Sequence, residues 1–285
     1  MSVKPIRGRP GPEATPGAQP EEAREPNPGG RTDRASVMTH LVLGYPAPGV
    51  DEEIAAALVR GGASFLEVQF PYSDPTADGP AIQEACQTAL DGGFRVDYGF
   101  EVVRRLSALE VPIFIMSYAG LVFARGIERF VSDAAAAGAH GLIVPDLPVD
   151  SDEGFYGRAR AYGPAAVPVT VATANPDRLE AFRDVAPEYL YVALRAGTTG
   201  GETVLSPEST VFLDRARGVA AHVMGGFGIR THEDVQAVTA HCDTAVVGSA
   251  IVGAVRDAWT AGAAAAARAA ERLVRHLVYG EPAGD

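Results

Sequence analysis

Lysine is almost missing from this chain: Lys4 is the only one in 285 residues. A Schiff-base aldolase or a pyridoxal phosphate enzyme needs a lysine amine inside its pocket. Lys4 lies in a Pro/Gly-rich stretch that offers no pocket, so both chemistries are excluded for this chain alone. Cysteine is equally scarce. Cys86 and Cys242 are too few for a disulfide framework and sit in no C-x-x-C or Cys/His cluster, which reads as ordinary thiols in a reducing compartment. The six histidines, at 40, 140, 222, 232, 241 and 276, form no H-x-H or H-E-x-x-H pair, so the usual signal of a metal-dependent aldolase is missing and no metal is expected. No apolar run reaches the roughly 18 residues of a membrane span. The formal net charge is −12, and no Lys/Arg block follows the N-terminal stretch, which argues against nucleic acid or an anionic membrane as partner. An acidic cytoplasmic protein is expected.

Residues 1–35 are rich in Pro and Gly, nearly devoid of large apolar side chains, and carry no signal-peptide core, so they read as a disordered tail. From Ser36 to about 280 the pattern alternates short β-branched runs with Ala-rich stretches of helical period. Strands are predicted at 37–43, 64–70, 111–117, 141–145, 166–171, 189–194, 221–224 and 244–248. Helix follows each, including single long helices over 121–137 and 249–278. Eight βα units without a composition break predict one (β/α)8 barrel, the TIM-barrel architecture, as the catalytic domain.

Barrel geometry gives "FLEVQFPYSDPTADGPAIQ", residues 65 to 83, a direction. Side chains alternate along a strand, so Leu66, Val68 and Phe70 should pack under the helices while Phe65, Glu67 and Gln69 point into the barrel. A buried acid is costly unless paired or used, and barrel enzymes keep their chemistry at the C-terminal mouth. Glu67 is therefore a candidate proton donor, the alternative being a structural pair with an inward arginine such as Arg195. The same parity turns Tyr191 inward. Asp78 taken alone reads as an Asp-Gly turn residue, Asp74 as a turn residue or helix cap, and Asp146 as either a loop anchor or a site residue. Three small-residue turns follow proposed strands: "RAGTTGG", "GGFGIR" and "VVGSAI". Glycine lets backbone N–H groups approach an anion, and the helix that follows adds its positive end. Gly228, Gly248, Ser249 and Gly200 are thus candidates for holding phosphate without lysine. With lysine and metal both unsupported, general acid/base catalysis by carboxylate and tyrosine remains.

These motifs, with "IMSYAGLVFARGIERF", "GLIVPDLP" and "GGFGIRTHEDV", resemble in order and spacing the α subunit of tryptophan synthase over about residues 39–255. The resemblance implies retro-aldol cleavage of indole-3-glycerol phosphate to indole and glyceraldehyde 3-phosphate, with no cofactor on this chain. It gives Glu67 the general acid/base role and makes Asp78 the partner of the indole N–H. Tyr191 and Tyr118 then support and line the pocket. Gly200, Gly228, Gly248 and Ser249, with Phe227 in the same turn, match the phosphate site, and Thr199 falls on a covering loop. The implied partner is a pyridoxal phosphate-bearing β subunit in an α2β2 complex, meeting the chain near Pro71 to Asp78.

The sequence departs from that family in three places. Gln69 stands where a small glycine is usual, so a larger side chain should enter the pocket. His40 and Val42 replace an aromatic and a threonine on the first strand. With Met38, His40 and Val42 on the inner face, His40 and Gln69 come from neighbouring strands and can pair. The amphipathic helix that usually precedes the first strand is not evident in the tail. These departures leave a second expectation open: a non-catalytic or substrate-shifted paralogue that binds a phosphate ligand and docks on a β-type partner.

Overall fold

The computed structural model describes residues 35–175, 177–194 and 205–282. The predicted tail therefore lies outside the described residues, apart from Ala35. Nine parallel strands run β1 Val37–Val42, β2 Phe65–Gln69, β3 Ile113–Met116, β4 Gly141–Ile143, β5 Ala165–Val167, β6 Val169–Val171, β7 Tyr189–Ala193, β8 His222–Gly226 and β9 Thr244–Val247. Their order is β5-β4-β3-β2-β1-β9-β8-β7-β6. The extra strand is the predicted fifth one cut in two by Pro168, which has no N–H to give a ladder. β5 pairs with β4 and β6 with β7, so the chain through Pro168 completes the ring of a TIM-barrel-like fold.

Helices fill the gaps between strands: α1 Asp51–Gly61, α2 Pro80–Asp91, α3 Val96–Leu106, α4 Ala119–Arg125, α5 Ile127–Ala136, α6 Phe155–Tyr162, α7 Arg178–Arg183, α8 Pro207–Ala216, α9 His232–Thr239, α10 Ser249–Trp259 and α11 Ala263–Tyr279. Two predicted long helices are each broken. Gly126 (φ 88°) separates α4 from α5, and Gly262 (φ 96°) precedes α11, both in the left-handed region that ends a right-handed helix. α11 packs back on α1 and α10, tying the last helix to the first.

Two cores result. Leu66, Val68 and Phe70 join the outer one, between strands and helices, as the alternation predicts. The inner core holds Met38, Phe65, Phe114, Tyr189 and Met224. Phe65 and Tyr189 meet Phe114 edge-on, at ring-centre distances of 5.9 and 5.0 Å, and form an aromatic floor. Val42 departs from expectation: at the end of β1 it joins the outer core rather than the inner one. Cys86 and Cys242 are free and buried, and burial pushes each thiol up to about 12. Among the described residues, no helix is long and apolar enough to cross a membrane.

Candidate active site

Glu67 sits two residues above Phe65 on the inner face of β2, which places its carboxylate above the aromatic floor. It is 5% exposed, so its partner matters. That partner is His40: the parallel register sets His40 beside Glu67, and His40 Nδ1 lies 2.8 Å from Glu67 Oε2. The register sets Val42 directly beside Gln69, and the Gln69 side chain still interacts with the imidazole, as expected, but more weakly than Glu67 does. Ser64 N–H donates to Val37 C=O and fixes that alignment. Burial by itself would lower His40; Glu67 and then Asp78, with help from the Gln69 amide, more than offset it and hold the imidazole above its ordinary value.

Asp78 arrives from the loop between β2 and α2. Its Oδ2 accepts from Gln69 Nε2 at 2.7 Å and from Tyr118 OH at 2.8 Å, which leaves Oδ1 to the cavity. Gln83 Nε2 donates to the Asp78 carbonyl at 2.7 Å and holds the loop to the first turns of α2. Burial raises the Asp78 carboxyl above the usual carboxylate value, against the pull of His40 and the two donors. Tyr118 is wholly buried behind Asp78. It accepts from Ala77 N–H at 3.1 Å and stacks on Tyr72, so it backs the site rather than lining it. Gln69 likewise has no exposed surface.

These groups open on a cavity of about 210 Å³ lined by His40, Glu67, Asp78, Tyr191, Phe227, Gly228, Gly248 and Ser249, with apolar walls that include Ile82, Met116 and Ile143. An apolar cavity of roughly 150 Å³ takes up benzene, so this one has room for a larger aromatic ring. Tyr191 reaches it from β7, and burial holds its hydroxyl well above 10. Among the described residues no hydrogen bond joins Tyr191 to Glu67; the two face each other within the cavity. Gly226 must be glycine because a Cβ there would stand 2.2 Å from the Tyr191 hydroxyl oxygen. Phe227 takes φ 84°, a strained value for a side chain of that size, and its ring forms part of the wall. Gly248 caps the N-terminus of α10, with Ser249 its first residue. Among the described residues no lysine or arginine lines the cavity.

Other expectations resolve simply. Asp146 Oδ1 accepts from Ala119 N–H at 2.8 Å and anchors the start of α4. Asp74 is exposed and bonds Ser73 within its turn. Gly200, Thr199 and Arg195 lie outside the described residues. Sequence reasoning missed Asp51, wholly buried at the start of α1, where its carboxylate accepts from Gly44 N–H and the Tyr98 hydroxyl and fixes the loop after β1. It is one of three successive acids, with Glu52 and Glu53, that open α1, and nothing in the sequence sets it apart from them.

Comparison with known proteins identifies relatives of this chain. Residues 30–278 match the family profile described as "Tryptophan synthase alpha chain". A tryptophan synthase alpha chain from Desulfotalea psychrophila is 37% identical over 223 residues, covering 78% of this chain and 88% of that one. The solved Mycobacterium tuberculosis tryptophan synthase superposes with a TM-score of 0.77 at 30% identity, covering 86% of this chain and 91% of the other. A chain of the tryptophan synthase complex from Pyrococcus furiosus gives 0.75 at 26% identity, covering 86% and 98%. A profile match across the whole barrel, joined to relatives of this identity and coverage, leaves one assignment: the chain belongs to the tryptophan synthase alpha chain family.

Proposed function

We propose that this lyase of the tryptophan synthase alpha type cleaves indole-3-glycerol phosphate with Glu67 as the acid and Asp78 as the anchor of the indole N–H. The observation that carries this reading is the pairing of two buried carboxylates in unlike surroundings on one cavity, Glu67 against an imidazole and Asp78 between an amide and a phenol. Such a difference lets two acids take different protonation states in one solution. Glu67 in its protonated form delivers a proton to C3 of the indole ring. The positive charge that develops at the ring nitrogen is met by Asp78. The C–C bond to the glycerol chain then breaks, its electron pair returning to the ring, while the adjacent hydroxyl becomes the aldehyde and gives its proton back to the Glu67 carboxylate. Indole and glyceraldehyde 3-phosphate leave, and the acid is restored.

Phosphate is held at Gly228, Gly248 and Ser249, where backbone N–H groups and the positive end of α10 replace a basic side chain. Tyr191 and Phe227, edge-on to each other with ring centres 6.3 Å apart, form the wall against which the indole ring lies. The chain works in the cytosol with a pyridoxal phosphate-bearing β-type subunit that takes up the indole, a reading supported by the likeness to chains of solved tryptophan synthase complexes.

The test is indole release by the purified protein, with and without a β-type subunit. Glu67→Gln should lower release by about 10²- to 10⁴-fold, the range of a lost general acid. Binding of glycerol 3-phosphate, measured by calorimetry, should stay near the original. Indole release surviving the substitution would remove Glu67 from the reaction.

A further inference from the structure

His40 and Gln69 are the two polar side chains that separate this site from the resemblance stated above, and each touches one of the two acids. His40 Nδ1 is 2.8 Å from Glu67 and Gln69 Nε2 is 2.7 Å from Asp78. Their remaining polar atoms, His40 Nε2 and Gln69 Oε1, are both buried without a hydrogen bond of good geometry. One is a donor when the imidazole is charged and the other an acceptor, so the two are complementary. A buried carboxylate beside a buried imidazole is favourable only when the pair carries a proton between them, since an unpaired charge in such surroundings is expensive.

We propose that His40 is a positioning residue that shares its proton with Glu67, and that Gln69 extends this arrangement to Asp78, so that one imidazolium offsets part of the charge of the two acids within a single hydrogen-bonded unit. The proposal rests on the lyase reading given above and adds the source of its proton. In the resting site the proton sits on Nδ1 and is hydrogen-bonded to Oε2. It passes to Oε2 as substrate binds, leaving neutral imidazole and a carboxylic acid that can protonate the indole ring. After cleavage the glycerol hydroxyl returns a proton to the Glu67 carboxylate, and from there it goes back to Nδ1. No other reactant is needed. The His40 charge also faces Asp78, which keeps that carboxyl from losing its ionised form to burial altogether.

The groups facing His40 are Glu67 and Gln69 from β2, Asp78 from the loop after it, and Tyr191 across the cavity on β7. Tyr191 is held well above 10 and contributes no ionisation below that pH. The pair's proton is present below the raised His40 value and lost as pH climbs through it.

Two measurements test this. Histidine labelled with 15N in the resting protein reports the His40 ring directly, its signal identified by its loss in His40→Phe. His40 should stay doubly protonated to higher pH than ordinary histidine, and Glu67→Gln, Asp78→Asn and Gln69→Leu should each bring its titration down, Glu67→Gln most. A ring that titrates as ordinary histidine and ignores Glu67→Gln overturns the proposal. The second is kcat for indole release against pH. The original protein should lose activity on the alkaline side. His40→Phe should be about tenfold slower at neutral pH with KM little changed, as for loss of one charge-assisted hydrogen bond. His40→Asn, which keeps a donor to Glu67 but cannot ionise, should recover part of that rate and no longer lose it at the pH where the His40 ring titrates in the original protein. If both variants retain the original alkaline loss, His40 supplies no proton. An original protein that releases no indole at all sinks the lyase reading, while the ring titration still decides the pair.

Discussion

Asp78 takes two donors on one oxygen, and that detail sets a trade between stability and activity. Because burial raises its folded-state value, the folded protein holds this proton more tightly than the unfolded chain does. Stability is therefore lost as pH rises from the ordinary carboxylate value of about 4 up through the raised one. Asparagine keeps an oxygen for Gln69 and Tyr118 and carries no charge to desolvate. Asp78→Asn should raise the thermal midpoint by a few degrees at neutral pH and leave it unchanged near pH 3.5, below the ordinary Asp value, while indole release falls sharply. Melting curves at the two pH values separate these effects. At this scale the sequence was partly legible: a charged residue in mid-strand and a highly specific run through Asp78 marked both acids. Their partners were not legible, because choosing between Glu67 and Gln69 for His40 required the register of β1 on β2, a property of two strands and of neither one.

At the scale of elements, β8 and β7 fit only because one side chain is missing. Gly226 ends β8 where the Tyr191 ring passes, and a methyl there would overlap the hydroxyl oxygen. Gly226→Ala should displace Tyr191 toward the cavity, cost about 1–3 kcal/mol of stability as overpacking does, and reduce substrate affinity; chemical denaturation and KM check the two parts. The run "GGFGIR" suggested a phosphate turn but gave no hint that its second glycine serves the tyrosine of the neighbouring strand. Element breaks were similarly hidden. Apolar residues continue on both sides of Gly126 and Gly262, and period alone does not report the positive φ that breaks the helix at each. Pro168 was visible as a letter, yet its effect depends on which neighbour its missing N–H would have served.

Over the whole molecule, the barrel is a ring closed by contacts between its ends: β1 pairs with β9, and α11 packs on α1. Leu277, wholly buried on α11, belongs to that closure. Leu277→Ala should lower stability by about 2–5 kcal/mol, as a large cavity does. The pH dependence of indole release should stay unchanged, because α11 lies in the outer layer, away from His40 and Glu67. Denaturant titration and the rate profile together check this. The ring itself was the most legible feature, because eight alternations of strand and helix admit few other architectures.

The two sheltered thiols turn this closed architecture into its own clock. Cys86 lies on α2, directly after the loop that carries Asp78, and Cys242 lies between α9 and β9 on another part of the wall. Neither ionises until about pH 12, so an alkylating reagent in neutral buffer finds no thiolate to attack while the shell is shut. The speed at which each sulfur is modified then times how often its own portion of the shell breathes, and a ligand that clamps the mouth should slow Cys86 more than Cys242.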